Sequence, residues 1–245
     1  MDRQQLLAAS REEVLQLRQQ GVSEVAPSRR DFTMFVSTGR EDLAVIARLA
    51  APAGQVWSAS QLVAHAQACD DADVAALAVA AGTIGLSMAD LAAVAEATTA
   101  PILRDHPLIH TSQLHHSRLH GADCVLLPTA ELDRDTLREL VATATSLHMA
   151  CVLEVFTTAQ VETALSLPHV IVGLRCTQPD GALDVARTQR LAEAVPRQST
   201  VIALPEIRSA TEYAALRGAC DAVLVGEALQ LGSDVGALLR QITGG

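Results

Sequence analysis

The chain has 245 residues, enough for one large core or for two small domains. It carries 28 acidic and 18 basic residues, a net charge of −10, and an acidic chain without a basic stripe excludes nucleic acid as the main partner. Every basic residue is an arginine; lysine and asparagine are absent.

Apolar residues make up 49% of the chain and only five residues are aromatic, so the core is built from Ala, Val, Leu and Ile. The five cysteines (Cys69, Cys124, Cys151, Cys176, Cys220) are scattered without a C-x-x-C, which reads as buried reduced thiols rather than a disulfide framework or a zinc site. No signal peptide and no apolar run of about 20 residues is present, so a soluble cytoplasmic protein without membrane association is expected.

Residues 2–20 carry Leu6, Leu7, Val14 and Leu17 on a helical stripe, an N-terminal helix outside any strand–helix alternation. Residues 21–30 read as loop, and 31–37 as a short helix or extended piece. Alternation then begins. Strand-length apolar runs are Leu43–Leu49, Asp73–Val79, Pro101–Leu103, Cys124–Leu127, Cys151–Phe156, Val170–Leu174, Val201–Leu204 and Ala222–Val225. Helical patterns fall at Ser58–Ala68, Met88–Ala97, Thr111–Leu119, Leu132–Leu147, Thr158–Leu165, Ala186–Ala194, Ser209–Leu216 and Val235–Ile242. The strands are continuously apolar, as strands buried on both faces are. Eight β-α units in one chain predict a single α/β domain over 1–245, a (β/α)8 TIM barrel with an N-terminal helical extension over 1–30. No G-x-G-x-x-G follows the first strand, so a dinucleotide site has no support. Function in such a barrel gathers where the strands end, and Arg104-Asp105-His106 ends the third.

Several segments, in order, resemble indole-3-glycerol-phosphate synthase: LAVIARLAAPAG from Leu43, PILRDHPLIHTSQL from Pro101, GADCVLLPTAEL from Gly121, CVLEVF from Cys151 and DAVLVGEALQ from Asp221. The resemblance spans nearly the whole chain and includes the N-terminal helix. It implies a (β/α)8 lyase that closes, decarboxylates and dehydrates a carboxyphenylamino-deoxyribulose phosphate. In that family a strand 3 lysine is the general acid and a strand 5 glutamate the base. A strand 1 glutamate and lysine, a strand 6 asparagine and a strand 7 Glu-Ser-Gly complete the site, and amides of the last two loops hold the phosphate. Carried over by position, the strand 3 lysine falls on Asp105 and the following aspartate on His106. The strand 1 glutamate and lysine fall on Arg48 and Ala50, with the next loop shortened to Ala51-Pro52-Ala53. Strand 6 reads Gly173-Leu174-Arg175, strand 7 Leu204-Pro205-Glu206, and the last loop Gly226-Glu227-Ala228. Arg104, Glu154, Arg175 and Gly226 keep the family's residues.

These replacements change the chemistry. A general acid contributes about 10²–10⁴-fold, and Asp105 is ionised at neutral pH unless its pKa is raised far. No lysine elsewhere in the chain replaces it. Glu206 brings a β-carbon and a negative charge to a place where backbone should meet a dianion, and Pro205 removes an amide donor.

The resemblance therefore implies a divergent paralogue with lost or altered lyase activity. Two alternatives stay open: an active synthase, and a re-purposed acid–base enzyme using Glu154, Asp105 and His106. Arg104, Arg175, Glu206 and Gly226 are the candidate ligand contacts, for a small anionic molecule at the mouth. Arg48 and Glu206 predict a mouth plugged by the protein's own side chains. Glu154, a carboxylate inside a strand, must pair with an arginine such as Arg48 or Arg104, or face a wet cavity. His110, His115, His116 and His120 lack a carboxylate or cysteine to complete a metal set and read as a solvated or interface helix face. Neither metal nor cofactor is expected, and the chain is expected to be monomeric or homodimeric.

Overall fold

Strand-length apolar runs and 3.6-period helical patterns alternate along the chain, and the computed structural model follows them. It describes residues 3–20, 25–49, 56–82, 85–226, 228–229 and 234–244. Helix α1 (Arg3–Gln20) and the short α2 (Phe32–Val36) precede the first strand. The repeating units are β1 (Ala44–Leu49), α3 (Ala59–Asp71), β2 (Ala76–Val79), α4 (Met88–Ala97), β3 (Ile102–Pro107), α5 (Thr111–Leu119), β4 (Cys124–Pro128) and α6 (Arg134–Ser146). They continue through β5 (Ala150–Val155), α7 (Thr158–Leu165), β6 (Val170–Leu174), α8 (Val185–Glu193), β7 (Val201–Glu206), α9 (Ala210–Leu216), β8 (Ala222–Val225) and α10 (Val235–Thr243). The strands are parallel and pair in sequence order, and β8 closes on β1. The fold is the expected TIM barrel with an extra N-terminal helix.

Local chemistry sets the helix starts. Ser58, Ser87, Asp133, Thr157, Asp184, Ser209 and Asp234 each accept a backbone N–H of the following first turn, satisfying a donor the helix leaves free. Between α5 and β4 the chain turns at Gly121, whose φ of +95° and close approach to Ala95 leave no room for a β-carbon.

Alternate strand residues point into the lumen. Ile46, Leu103, Leu126, Val152, Ile202 and Leu224 belong to one inner apolar cluster, joined by Phe32 and Val36 of α2, which seal the N-terminal end. The other strand faces pack under the helices in a larger cluster. All five cysteines are buried free thiols, and burial pushes those of Cys69, Cys151 and Cys220 up to about 12.

Two strands run beyond their apolar segments. β3 continues through Arg104-Asp105-His106 to Pro107, and β7 through Pro205 to Glu206. Each shifts register against the next strand there. Charge does not end these strands, because each charged side chain finds a partner on one face or the other of the sheet.

Two buried aspartates pin the opposite end. Asp123 accepts from Ile102 N (3.0 Å) and Ser28 Oγ (2.6 Å) and pairs with Arg30 (2.7 Å) and Arg118 (2.8 Å). Asp221 accepts from Val201 N (2.8 Å) and from the amides of Thr38 and Arg40 (3.1 Å each). Both stand just before a strand and fasten the N-terminal segment to the preceding strand.

Candidate active site at the barrel mouth

The inward-facing positions at the C-terminal ends of the strands are charged, and they pair with one another. Arg48 of β1 reaches Asp105 Oδ2 through Nε and Glu206 Oε1 through Nη1, both at 2.8 Å. Arg175, just past β6, pairs with Glu154 of β5 and lies 3.9 Å from Asp105 Oδ1. Arg3, from the first turn of α1, meets the other oxygen of Glu154 at 2.5 Å. Charges of opposite sign thus alternate across the opening, in the order Arg3, Glu154, Arg175, Asp105, Arg48, Glu206. Glu131 also pairs with Arg3, so three guanidinium groups face four carboxylates.

Asp105 raises the pKa of Arg48 above its ordinary value; burial opposes the charge and Glu206 adds to it. Burial also opposes the charge of Arg3, and Glu131 and Glu154 outweigh it. The side chains of Asp105 and Glu154 are only 4% and 2% exposed, and each is paired with arginines, as buried acidic groups must be.

Glu206 bends over the last strand. A β-carbon on Gly226 would lie 2.6 Å from the Glu206 carboxyl carbon, so the carboxylate sits directly against the Gly226 backbone. One layer deeper the lumen is apolar. A β-carbon on Gly173 would meet Val152 Cγ1 at 2.6 Å and Leu204 Cδ1 at 2.8 Å, so apolar neighbours fill that place.

Arg104 and His106 face the other way, toward α1 and α5. Arg104 is fully buried and donates to both oxygens of Glu13 (2.9 and 2.8 Å), to Ser117 Oγ (2.9 Å) and to Ala81 O (2.8 Å). Glu13 also accepts from Gln113 Nε2 (2.8 Å) and lies 3.1 Å from His116 Nδ1. Burial alone would push the Glu13 carboxyl up, but His116, Arg104 and Gln113 together hold it down at about 2. His106 lies against Gly82 and within 3.1 Å of Ser10 Oγ; burial first, then Arg104, holds its pKa down at about 4, so it is neutral near pH 7.

Comparison with known proteins adds a lineage to this geometry. The family described as Indole-3-glycerol phosphate synthase matches residues 1–242. This chain belongs to that family. Its ancestry is therefore that of a tryptophan-pathway barrel. The indole-3-glycerol phosphate synthase of Ruminiclostridium cellulolyticum is 36% identical over 146 residues, 59% of this chain and 56% of that protein. That of Rhodococcus jostii is 36% identical over 151 residues, 60% and 56% of the two chains. The matched stretch spans just over half the length of these curated relatives. Among solved structures, an N-acetylmannosamine-6-phosphate 2-epimerase from Clostridium perfringens superposes with a TM-score of 0.65 at 14% identity, covering 91% of this chain and 99% of that one. Orotidine 5'-phosphate decarboxylase from Pyrococcus horikoshii gives 0.62 at 16% identity, covering 82% and 100%. Both likenesses concern the barrel fold alone.

In this indole-3-glycerol-phosphate synthase family barrel, five of the seven residues singled out from the sequence meet at the mouth: Asp105, Glu154, Arg175, Glu206 and Gly226. Arg104 and His106 do not join them. Period-2 alternation along β3 turns them outward, so Asp105 and His106 stand on opposite faces and form no acid–base pair. His106 is buried, at 1% exposure. Glu154 pairs with Arg3 and Arg175, rather than with Arg48 or Arg104. Ala50, the loop Ala51–Ala53 and Glu227 lie outside the described residues. The α5 histidines serve the helix and its docking. His110 accepts the Ser112 amide, His116 faces Glu13, and the His116 and His120 rings meet edge to face at 4.5 Å. Among the described residues no helix is long and apolar enough to cross a membrane.

Sequence reasoning missed Arg3, Ser10, Glu13 and Glu131. Glu13 left a usable signal: a carboxylate beside Val14 and within a turn of Leu17, on the side of α1 that should be buried. Arg3 and Glu131 left none, because their role depends on α1 crossing the mouth.

Proposed function

We propose that this barrel no longer performs the synthase ring closure and that its mouth is held shut by its own ion pairs. The observation that carries this reading is the Glu206 carboxylate, seated on the Gly226 backbone and bonded to Arg48. The family resemblance puts a substrate phosphate at that end of the barrel. A carboxylate there repels a dianion and occupies its space. The other replacements support the same reading. Asp105, at the position of the family's general-acid lysine, is a carboxyl group ion-paired with Arg48 and not an ammonium donor. Glu154, at the base position, is neutralised from two sides by Arg3 and Arg175. The positions of the family's asparagine and strand 7 glutamate hold Gly173 and Leu204, which leave an apolar layer.

A small anionic molecule is the ligand that suits the mouth in this reading. It would compete with Glu206 for Arg48 and with Glu154 for Arg175. A thermal-shift screen of phosphate monoesters and carboxylates tests this, since a ligand that binds only the folded state raises Tm. The activity claim is tested by indole-glycerol-phosphate fluorescence and by complementation of a tryptophan auxotroph; absence of both is expected. The double substitution Asp105→Lys, Glu206→Gly restores an ammonium donor and an open glycine loop, and slow turnover from that variant alone would support a lapsed site on an intact scaffold.

A further inference from the structure

At the rim of the mouth, Arg3 sits in a socket built by residues far from it in sequence. Glu131, beyond β4, accepts from Nε and Nη2 at 2.8 Å each. Glu154 Oε2 lies 2.5 Å from Nη1. The Phe156 ring lies beneath the guanidinium, with Cζ 4.5 Å from the ring centroid. Each guanidinium nitrogen thus faces a carboxylate oxygen, and its plane faces an aromatic ring. A two-pronged carboxylate beside a π face suits a planar guanidinium and fits an ammonium poorly, because an ammonium cannot bridge both oxygens in one plane.

The Arg3 and Glu131 side chains are 30% and 23% exposed, so the outer side of the socket opens to solvent, whereas Glu154 is 2% exposed and its Oε2 accepts no well-directed hydrogen bond. Arg3 is the first residue of α1, in the turn that frays most readily. The anchor of α1 lies two to three turns further on, where Ser10 donates to Pro107 O at 2.5 Å and Glu13 meets Arg104. Arg3 can therefore leave its socket without undocking the helix.

We propose that Glu131, Glu154 and Phe156 form a guanidinium-binding site, that Arg3 fills it as a tethered ligand, and that a small guanidinium compound from solution takes it when Arg3 withdraws. A tether this short presents Arg3 at a local concentration in the millimolar range, so a free compound competes poorly until Arg3 is gone. The site shares Glu154 with the mouth described above, and its test reads binding rather than turnover, so its failure and that of the proposed function are distinguishable.

The test titrates methylguanidinium chloride into full-length wild type, Arg3→Ala and Arg3→Ala/Glu131→Gln, by calorimetry and thermal melting, with methylammonium chloride at equal concentration as the ionic control. Arg3→Ala is expected to bind methylguanidinium saturably, with a rise in Tm that methylammonium does not reproduce. Wild type should need at least tenfold more, and Glu131→Gln should weaken binding at least tenfold. Arg3→Lys, which keeps a cation but loses the fork, provides a second folded host, in which methylguanidinium should outcompete the tethered amine. Equal response to the two cations, no saturable binding in either host, or binding unchanged by Glu131→Gln would overturn the proposal.

Discussion

Glu13 keeps its charge in a place where burial alone would remove it, and His106 stays neutral in a place where protonation would leave a cation facing Arg104. Both have pKa values held below the ordinary ones, Glu13 at about 2 against 4.5 and His106 at about 4 against 6.5. In each case the unfolded chain binds the proton first, so stability falls as pH falls. The His106 contribution is complete above pH 6.5 and lost toward pH 4; that of Glu13 is complete above pH 4.5 and lost toward pH 2. Each gap corresponds to about 3 kcal/mol. His65, buried edge-on to Trp57, shifts in the same direction as His106. Urea unfolding between pH 7 and pH 3 should show two successive losses, and His106→Gln should flatten the upper one. The glycines of the mouth separate packing from charge. Gly173→Ala drives a methyl into Val152 and Leu204 and should cost about 1–3 kcal/mol. Gly226→Ala meets only the end of a flexible carboxylate. It should cost little stability while displacing Glu206 from Arg48, and melting curves of the two variants check the contrast.

The strands β4, β6 and β8 and the helices α4, α5 and α7 were legible because each is an uninterrupted apolar run or a clean 3.6-period pattern between turns. β3 and β7 were not legible to their ends. Hydrophobicity stops at Leu103 and Leu204, while the backbone ladder continues because ion pairs take over the stabilisation of the side chains. The same alternation that put Asp105 in the mouth put Arg104 outside it, and a motif read as a linear string hides that division. The reward for the outward pair is the docking of α1. Arg104→Ala leaves Glu13 buried beside only Gln113 and His116 and should cost about 3–5 kcal/mol in urea unfolding. The double substitution Arg104→Met, Glu13→Leu removes both charges, and its loss should be smaller than that of Arg104→Ala alone.

Over the whole molecule, the sequence indicated the barrel, the family and the altered mouth, since family motifs and residue types are local properties. The sequence left open how the charges pair, because the partners lie 21 to 158 residues apart and meet only when β8 closes on β1 and α1 crosses the rim. Arg48 bonds to Glu206, and Arg3 and Arg175 extend this pair into a chain of alternating charges over the strand ends. In the proposed reading, a dianion reaches the Gly226 backbone only by expelling Glu206. The most direct measurement is therefore the rate at which the purified, unmodified protein forms indole-glycerol phosphate from the carboxyphenylamino-deoxyribulose phosphate. No product above the uncatalysed background is predicted; turnover of about 1 per second or faster, within the ordinary enzyme range, would contradict the account.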